Sequence, residues 1–155
     1  MHEQIVEDNK RVLLRDEMKV HNKNLAKATK KAGVINYANF QDFGYMGLYG
    51  GLRQKHIHAK KKLKKTDSVL DHMASEELAA NLFRATQTEA KLKRENIYGE
   101  QKANQTHYDV GKKVRKTIQE LGGTMPEKLI TPDHIKESRK RLRKQQKALS
   151  EKLVD

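Results

Sequence analysis

The chain has 155 residues, 35% hydrophobic and 34% charged, with 33 Lys plus Arg against 20 Asp plus Glu and a formal net charge of +13. This length suits one compact domain or a helical body with an arm, and so small an apolar fraction leaves a thin core or one completed by a partner chain. The absence of cysteine excludes disulfides, thiolate nucleophiles and sulfur-ligated zinc. With no tryptophan, no apolar signal segment and no run of about 20 apolar residues, no membrane attachment is expected, and the protein reads as soluble and cytoplasmic.

From Glu3 to Lys31, Ile5, Val6, Val12, Leu13, Met18, Leu25 and Ala28 fall near helical spacing, predicting one long helix or two that end before Gly33. Asn36 to Gly51 holds five of the eight aromatic residues. Gly44, Gly47, Gly50 and Gly51 interrupt it, predicting short helical turns and a tight corner. The fifteen residues Leu52 to Thr66 carry seven lysines or arginines and no acid, and a basic helix is expected from Leu52 to Lys65. Thr66 and Asp67 are then positioned to cap a short helix carrying Val69, Leu70 and Met73. Ser75, followed by Glu76 and Glu77, is expected to cap a helix that runs to about Arg94 and buries Leu78, Leu82, Phe83 and Ala85.

From about Gly99 a further helix places Tyr108, Gly111, Val114, Ile118 and Leu121 on one face, with Gly122-Gly123 as its left-handed stop. An extended linker, 124–131, surrounds Pro126. The last helix is expected to start with Thr131 as cap and Pro132 in its first turn, and its Ile135, Leu142 and Leu149 lie seven apart. So narrow a stripe suits a projecting arm or one strand of an intermolecular coil. The expectation is all-α: an irregular bundle of about five to six helices over 1–123, the linker 124–131, and a basic helical arm over 132–155 through which chains could associate.

Arg53, Lys55, Lys60, Lys61, Lys62, Lys64 and Lys65, turned at about 100° per residue, would surround most of a helix and reach phosphates from any side. Lys112, Lys113, Arg115 and Lys116 form a second basic group, and Arg139 and Arg143 stand in a third together with Lys136, Lys140, Arg141, Lys144, Lys147 and Lys152. Three such groups point to a polyanion, with DNA the first candidate. Most of the aromatic cluster is needed for the core. Tyr37 and Tyr45 are the members expected to remain exposed for base stacking.

His56 and His58 would point about 200° apart on a helix, while His72 and His107 stand alone in sequence, so no metal site and no cofactor are expected. Phosphate-loop, nucleophile-elbow and zinc-protease motifs are all missing, and the chain is not expected to be an enzyme. A protein-interaction module, with its charge steering association, is the alternative.

The strings GYMGLYGGLRQKHIHAKKKL, LDHMASEELAANLFRATQTEAKLKRE and THYDVGKKVRKTIQELGGTMPEKLITP closely resemble the C-terminal region of the DNA-damage-inducible protein D family. The resemblance extends back through RDEMKVHNKNLAKATKKAGV. It implies a bacterial cytoplasmic protein of the SOS response that restrains the RecA recombinase filament on single-stranded DNA, and it carries no catalytic residues across. Family members also have an N-terminal domain of the viral Bro type, so a fragment or a shortened member is expected here. Ile130 departs from the proline usual in the family's linker, and the tail after Pro132 has no counterpart in the resemblance.

Overall fold

A computed structural model describes residues 2–154. The described residues form six α-helices and two 3-10 turns without strands: α1 (His2–Lys31), α2 (Tyr37–Leu48), α3 (Gln54–Lys60), α4 (Ser75–Arg94), α5 (Glu100–Glu120) and α6 (Ile135–Val154), with 3-10 turns at Val69–His72 and Pro126–Lys128. The all-α expectation holds. The first segment is one unbroken helix, about 45 Å long at 1.5 Å per residue, and it packs against α4 and α6. α2 lies along α5, which also meets α4.

The glycines of the aromatic segment have a different role from the one expected. α2 is a continuous 12-residue helix, with the Asn36 side chain accepting from the Asn39 amide at its start. Gly44 and Gly47 lie on the face turned to α5. A Cβ at Gly47 would run into the Tyr108 carbonyl oxygen, one at Gly44 would occupy the His107 ring, and one at Gly111 would come within 2.7 Å of the Gly44 carbonyl oxygen. The three glycines therefore allow two helix backbones to touch, and the expected corner is confined to Gly50 and Gly51, both at positive φ.

Three helix starts differ from expectation, one through a local cap and two through contacts with side chains distant in sequence. Ser68, not Thr66 or Asp67, accepts from the Leu70 amide and starts the Val69 turn. Ser75 is the first residue of α4; its amide and hydroxyl both donate to Glu7 of α1, placing a carboxylate where the helix dipole favours one. α6 starts at Ile135, three residues beyond Pro132. His72 donates to the Pro132 carbonyl and Arg11 to that of Asp133, which holds this segment outside the helix, and His134 Nδ1 accepts the Lys136 amide. Phe83, expected in the core, is 53% exposed, and Leu82 is half-buried. Gly122, at φ 77°, ends α5 as expected.

Met18, Leu25, Phe40, Leu48, Met73 and Leu78 are fully buried, and a chain of polar groups runs between them. Lys61 Nζ donates to Glu77, whose other oxygen accepts from the Tyr49 hydroxyl; Asn81 donates to that hydroxyl and accepts from Arg84. Arg84, fully buried under the ring of Tyr45, donates to His107 Nε2 at 2.6 Å, and His107 Nδ1 donates to the Phe40 carbonyl at 2.8 Å.

α6 docks by polar contacts. Buried Asp8 accepts from Arg141 at 2.8 and 3.0 Å and from Ser138, and buried Arg11 reaches Met73, Asp71, Asp133 and Ser138. Only the first half of α6 is held this way. Arg143 to Leu153 is exposed, so the projecting arm is shorter than expected.

Two consequences can be measured. Gly47→Ala should lower stability by about 1–3 kcal/mol or more, read as a reduced thermal midpoint, because the obstructing atom belongs to the backbone of α5 and cannot turn aside. Burial, and next the Arg84 charge, hold the His107 imidazole well below its ordinary value of 6.5. Since the unfolded chain takes up the proton first, stability is full above about pH 6.5 and falls as pH drops below it, by at most about 1.4 kcal/mol per unit. Burial raises the Glu77 carboxyl, and that group acts with the opposite sign as pH rises above 4.5. Comparing melting of the wild type with His107→Gln between these values isolates the histidine, and the variant should lose the acid-side decline.

Candidate nucleic-acid interface

α3 ends earlier than the lysine run suggests. Lys62 occupies the left-handed region at φ 56°; its amide donates to the Ala59 carbonyl and that of Leu63 to His58. This is the paired bonding with which a helix closes its C-terminus, normally through glycine. A non-glycine residue in that conformation costs about 1–2 kcal/mol. The helix therefore spans only Gln54 to Lys60, and the lysines after it fan out on a loop. His58 Nε2 lies 2.9 Å from the Lys64 carbonyl and closes the loop, while His56 Nδ1 accepts the Arg53 amide at the helix start. Both histidines of the H-x-H pair are thus structural. Ile57 is the buried anchor, with Leu52 and Leu63 half-buried beside it.

The seven cations of this run separate into two sets. Arg53, Lys55, Lys60, Lys62, Lys64 and Lys65 are exposed, and none forms an ion pair among the described residues. Lys61 is turned inward. Its ammonium reaches Glu77 Oε1 at 2.8 Å and the His72 carbonyl at 3.1 Å, with only 6% of its side chain exposed. It is removed from the expected phosphate contacts because Glu77, wholly buried, has no other cation.

A similar division occurs on α5. Arg115 grips Glu127 with both terminal nitrogens at 2.7 and 2.8 Å and donates to the Leu48 carbonyl, which pins the linker to α5 and α2. Burial pushes the Glu127 carboxyl up, but the hydrogen bonds from this arginine outweigh it and leave the group below its ordinary range. Lys112 and Lys113 are exposed without ion pairs among the described residues, and Lys116 faces Glu120 at 4.0 Å. Lys112, whose backbone lies against Gly47, is on the side of α5 that meets the end of α2, whereas Lys113 lines a groove with Phe83, Gln87 and Lys91 of α4. On α6, Arg139 is paired with Asp16 at 2.7 Å and Arg143 is exposed on the projecting half.

The two tyrosines expected to stack on bases are not presented for it. Tyr45 is 4% exposed and lies against Arg84; Tyr37 is half-buried, stacked on Phe40, with its hydroxyl accepting from Gln41. Buried Arg84 needs an aromatic face because it has no carboxylate partner, and this draws Tyr45 into the core. A further set of cations escaped the sequence reading. Lys19, Lys23, Lys27, Lys30 and Lys31 are exposed along α1 without ion pairs among the described residues, and the spacing of four between the first three was the available signal.

Residues 5–138 match the family model of the DinD C-terminal domain. A curated relative, the DNA damage-inducible protein D of Escherichia coli (strain K12), is 63% identical over 132 residues, covering 83% of this chain and 48% of the relative. The chain thus spans about half the length of the curated relative it matches. No solved structure matches it.

The division of the lysine run can be tested by stability alone. Lys61→Ala should cost on the order of 3–5 kcal/mol in denaturant unfolding, since it leaves Glu77 buried without its cation. The adjacent Lys60→Ala should stay within about 0.5 kcal/mol of the wild type.

Proposed function

This chain belongs to the family of the DinD C-terminal domain, and on that premise we propose that it is a non-enzymatic protein of the DNA-damage response that holds the phosphate backbone of DNA. The observation that carries this reading is the set of six exposed cations between Arg53 and Lys65, unpaired among the described residues, in a chain that elsewhere matches its inner acids with bases. Lys62 adds support, because a lysine held where glycine would be less strained suits a site that needs its charge.

Single strands are favoured over duplex. α3 has only two turns and its cations radiate from a loop, which suits tracking a flexible backbone better than filling a major groove. Lys112 extends the surface on one side. Single-stranded DNA coated with the RecA recombinase is the physiological target that the family resemblance implies, and the protein would act in the cytoplasm. No described helix is long and apolar enough to cross a membrane. The second reading, an interaction module that associates through α6, draws its support from Leu149 and Leu153, 54% and 88% exposed on the projecting half.

Six phosphate contacts predict that log K for a labelled single strand falls against log salt with a slope of about −4. The quadruple variant K60E/K62E/K64E/K65E, which spares Lys61 and hence the fold, should bind at least tenfold more weakly and reduce the slope to about −1.4. Unchanged affinity and slope would transfer the case to the interaction module, for which light scattering of the full chain against one ending at Pro132 is the direct measurement.

A further inference from the structure

We propose that Asp67, His72 and His134 form a binding site for a divalent transition-metal ion of the zinc class, joining the segment that follows the basic loop to the segment that leads into α6. Their ligand atoms lie within 4.8 Å of one another although His134 is more than sixty residues from the other two in sequence. The inference is independent of DNA binding.

The argument begins at His72. Its Nδ1 is 3.3 Å from the Pro132 carbonyl oxygen, which can only accept, so Nδ1 carries the hydrogen and Nε2 presents a lone pair. Nε2 is completely enclosed and has no hydrogen-bond partner. The nearest charged atom is Asp67 Oδ2 at 3.5 Å, another lone-pair donor, itself oriented by the Lys64 amide. An enclosed imidazole lone pair facing a carboxylate oxygen lacks the cation that would satisfy both. A histidine whose other nitrogen donates to a backbone carbonyl is also the usual arrangement of a metal-bound imidazole.

His134 supplies the third donor. Its ring stands edge-on to His72, with centroids 5.2 Å apart, on the bend before α6. Ligands at about 2.0–2.1 Å around a tetrahedral zinc are about 3.4 Å apart. The His72 and Asp67 atoms already stand at that separation, and the widest gap closes with a movement of about 1.4 Å at most. His134, partly exposed, is the ligand able to make it. Coordination through either of its nitrogens releases the Lys136 amide, which lies exposed in the first turn of α6 and can turn to water. Asp71 Oδ2, 3.7 Å from His134 Nε2, is placed to orient this imidazole, while its Oδ1 stays with Arg15. Two imidazoles and one carboxylate favour zinc over magnesium or calcium and leave a fourth position for water.

Zinc titrated into the chelator-treated full chain, followed by calorimetry and by competition with a chromophoric chelator, should show one saturable site. Cobalt in its place should give the visible bands of a tetrahedral ion, and one equivalent of zinc should raise the melting temperature. D67N, H72Q and H134Q should each weaken binding at least tenfold and abolish the thermal shift. H134Q changes a partly exposed residue, so circular dichroism can verify that its fold is kept. H56Q/H58Q should bind as the wild type does. Absence of saturable binding at micromolar zinc, binding that survives H72Q and H134Q, or binding lost in H56Q/H58Q instead would overturn the proposal.

Discussion

The burial of Arg84 sets the terms for the centre of the molecule. Its guanidinium is fully enclosed and has no carboxylate partner, so it relies on Asn81, the face of Tyr45 and the lone pair of His107. That last contact requires a neutral imidazole with its hydrogen on Nδ1, which the Phe40 carbonyl accepts. The ring then takes the volume a side chain at position 44 would need, so Gly44 follows, and with it the close contact of α2 and α5 that Gly47 and Gly111 permit. One buried cation thus determines a tautomer, a glycine and a helix spacing.

The same polar chain reaches the surface at Lys61. Burial raises the Glu77 carboxyl even with that ammonium beside it, so the pair is not a strong source of stability; its effect is to fix where the lysine run attaches. With Lys61 drawn inward and Lys62 in the left-handed region, Lys60, Lys64 and Lys65 are turned to solvent. The linker strengthens this arrangement. Glu127, held by Arg115, keeps the Pro126 turn across a small cleft from Tyr49, Ile57 and Lys61, on the inner side of α3.

How far the sequence discloses all this depends on the range of the forces involved. α4 and α5 follow from apolar spacing and from the Gly122 stop, both local properties. α2 was obscured because glycine breaks an isolated helix yet favours one whose backbone must touch another. The end of α3 was hidden because a lysine occupies the place glycine usually takes. Docking of α6 left only a slight apolar signature, buried Ile135, since Asp8, Arg11, Ser138 and Arg141 carry most of it through hydrogen bonds. Within the candidate interface the run itself stood out, but Lys61 and Arg115 could not be told from their neighbours. What distinguishes them is a partner acid, Glu77 or Glu127, whose position only the fold reveals.

This sorting has a physical consequence for a chain with 13 more bases than acids. Each buried acid, Asp8 or Glu77, is matched by a nearby cation, so the excess resides almost wholly at the surface. Salt acts on these two populations unequally. Exposed charges farther apart than about 8 Å are largely screened at physiological ionic strength, whereas buried and partly buried pairs are screened much less. Cations held by the core therefore keep the loop in shape while those outside exchange phosphates for counterions. Binding governed by the outer set can be switched by ionic strength without loosening the inner set, and the fold and the grip on a polyanion become separate properties of one lysine-rich segment.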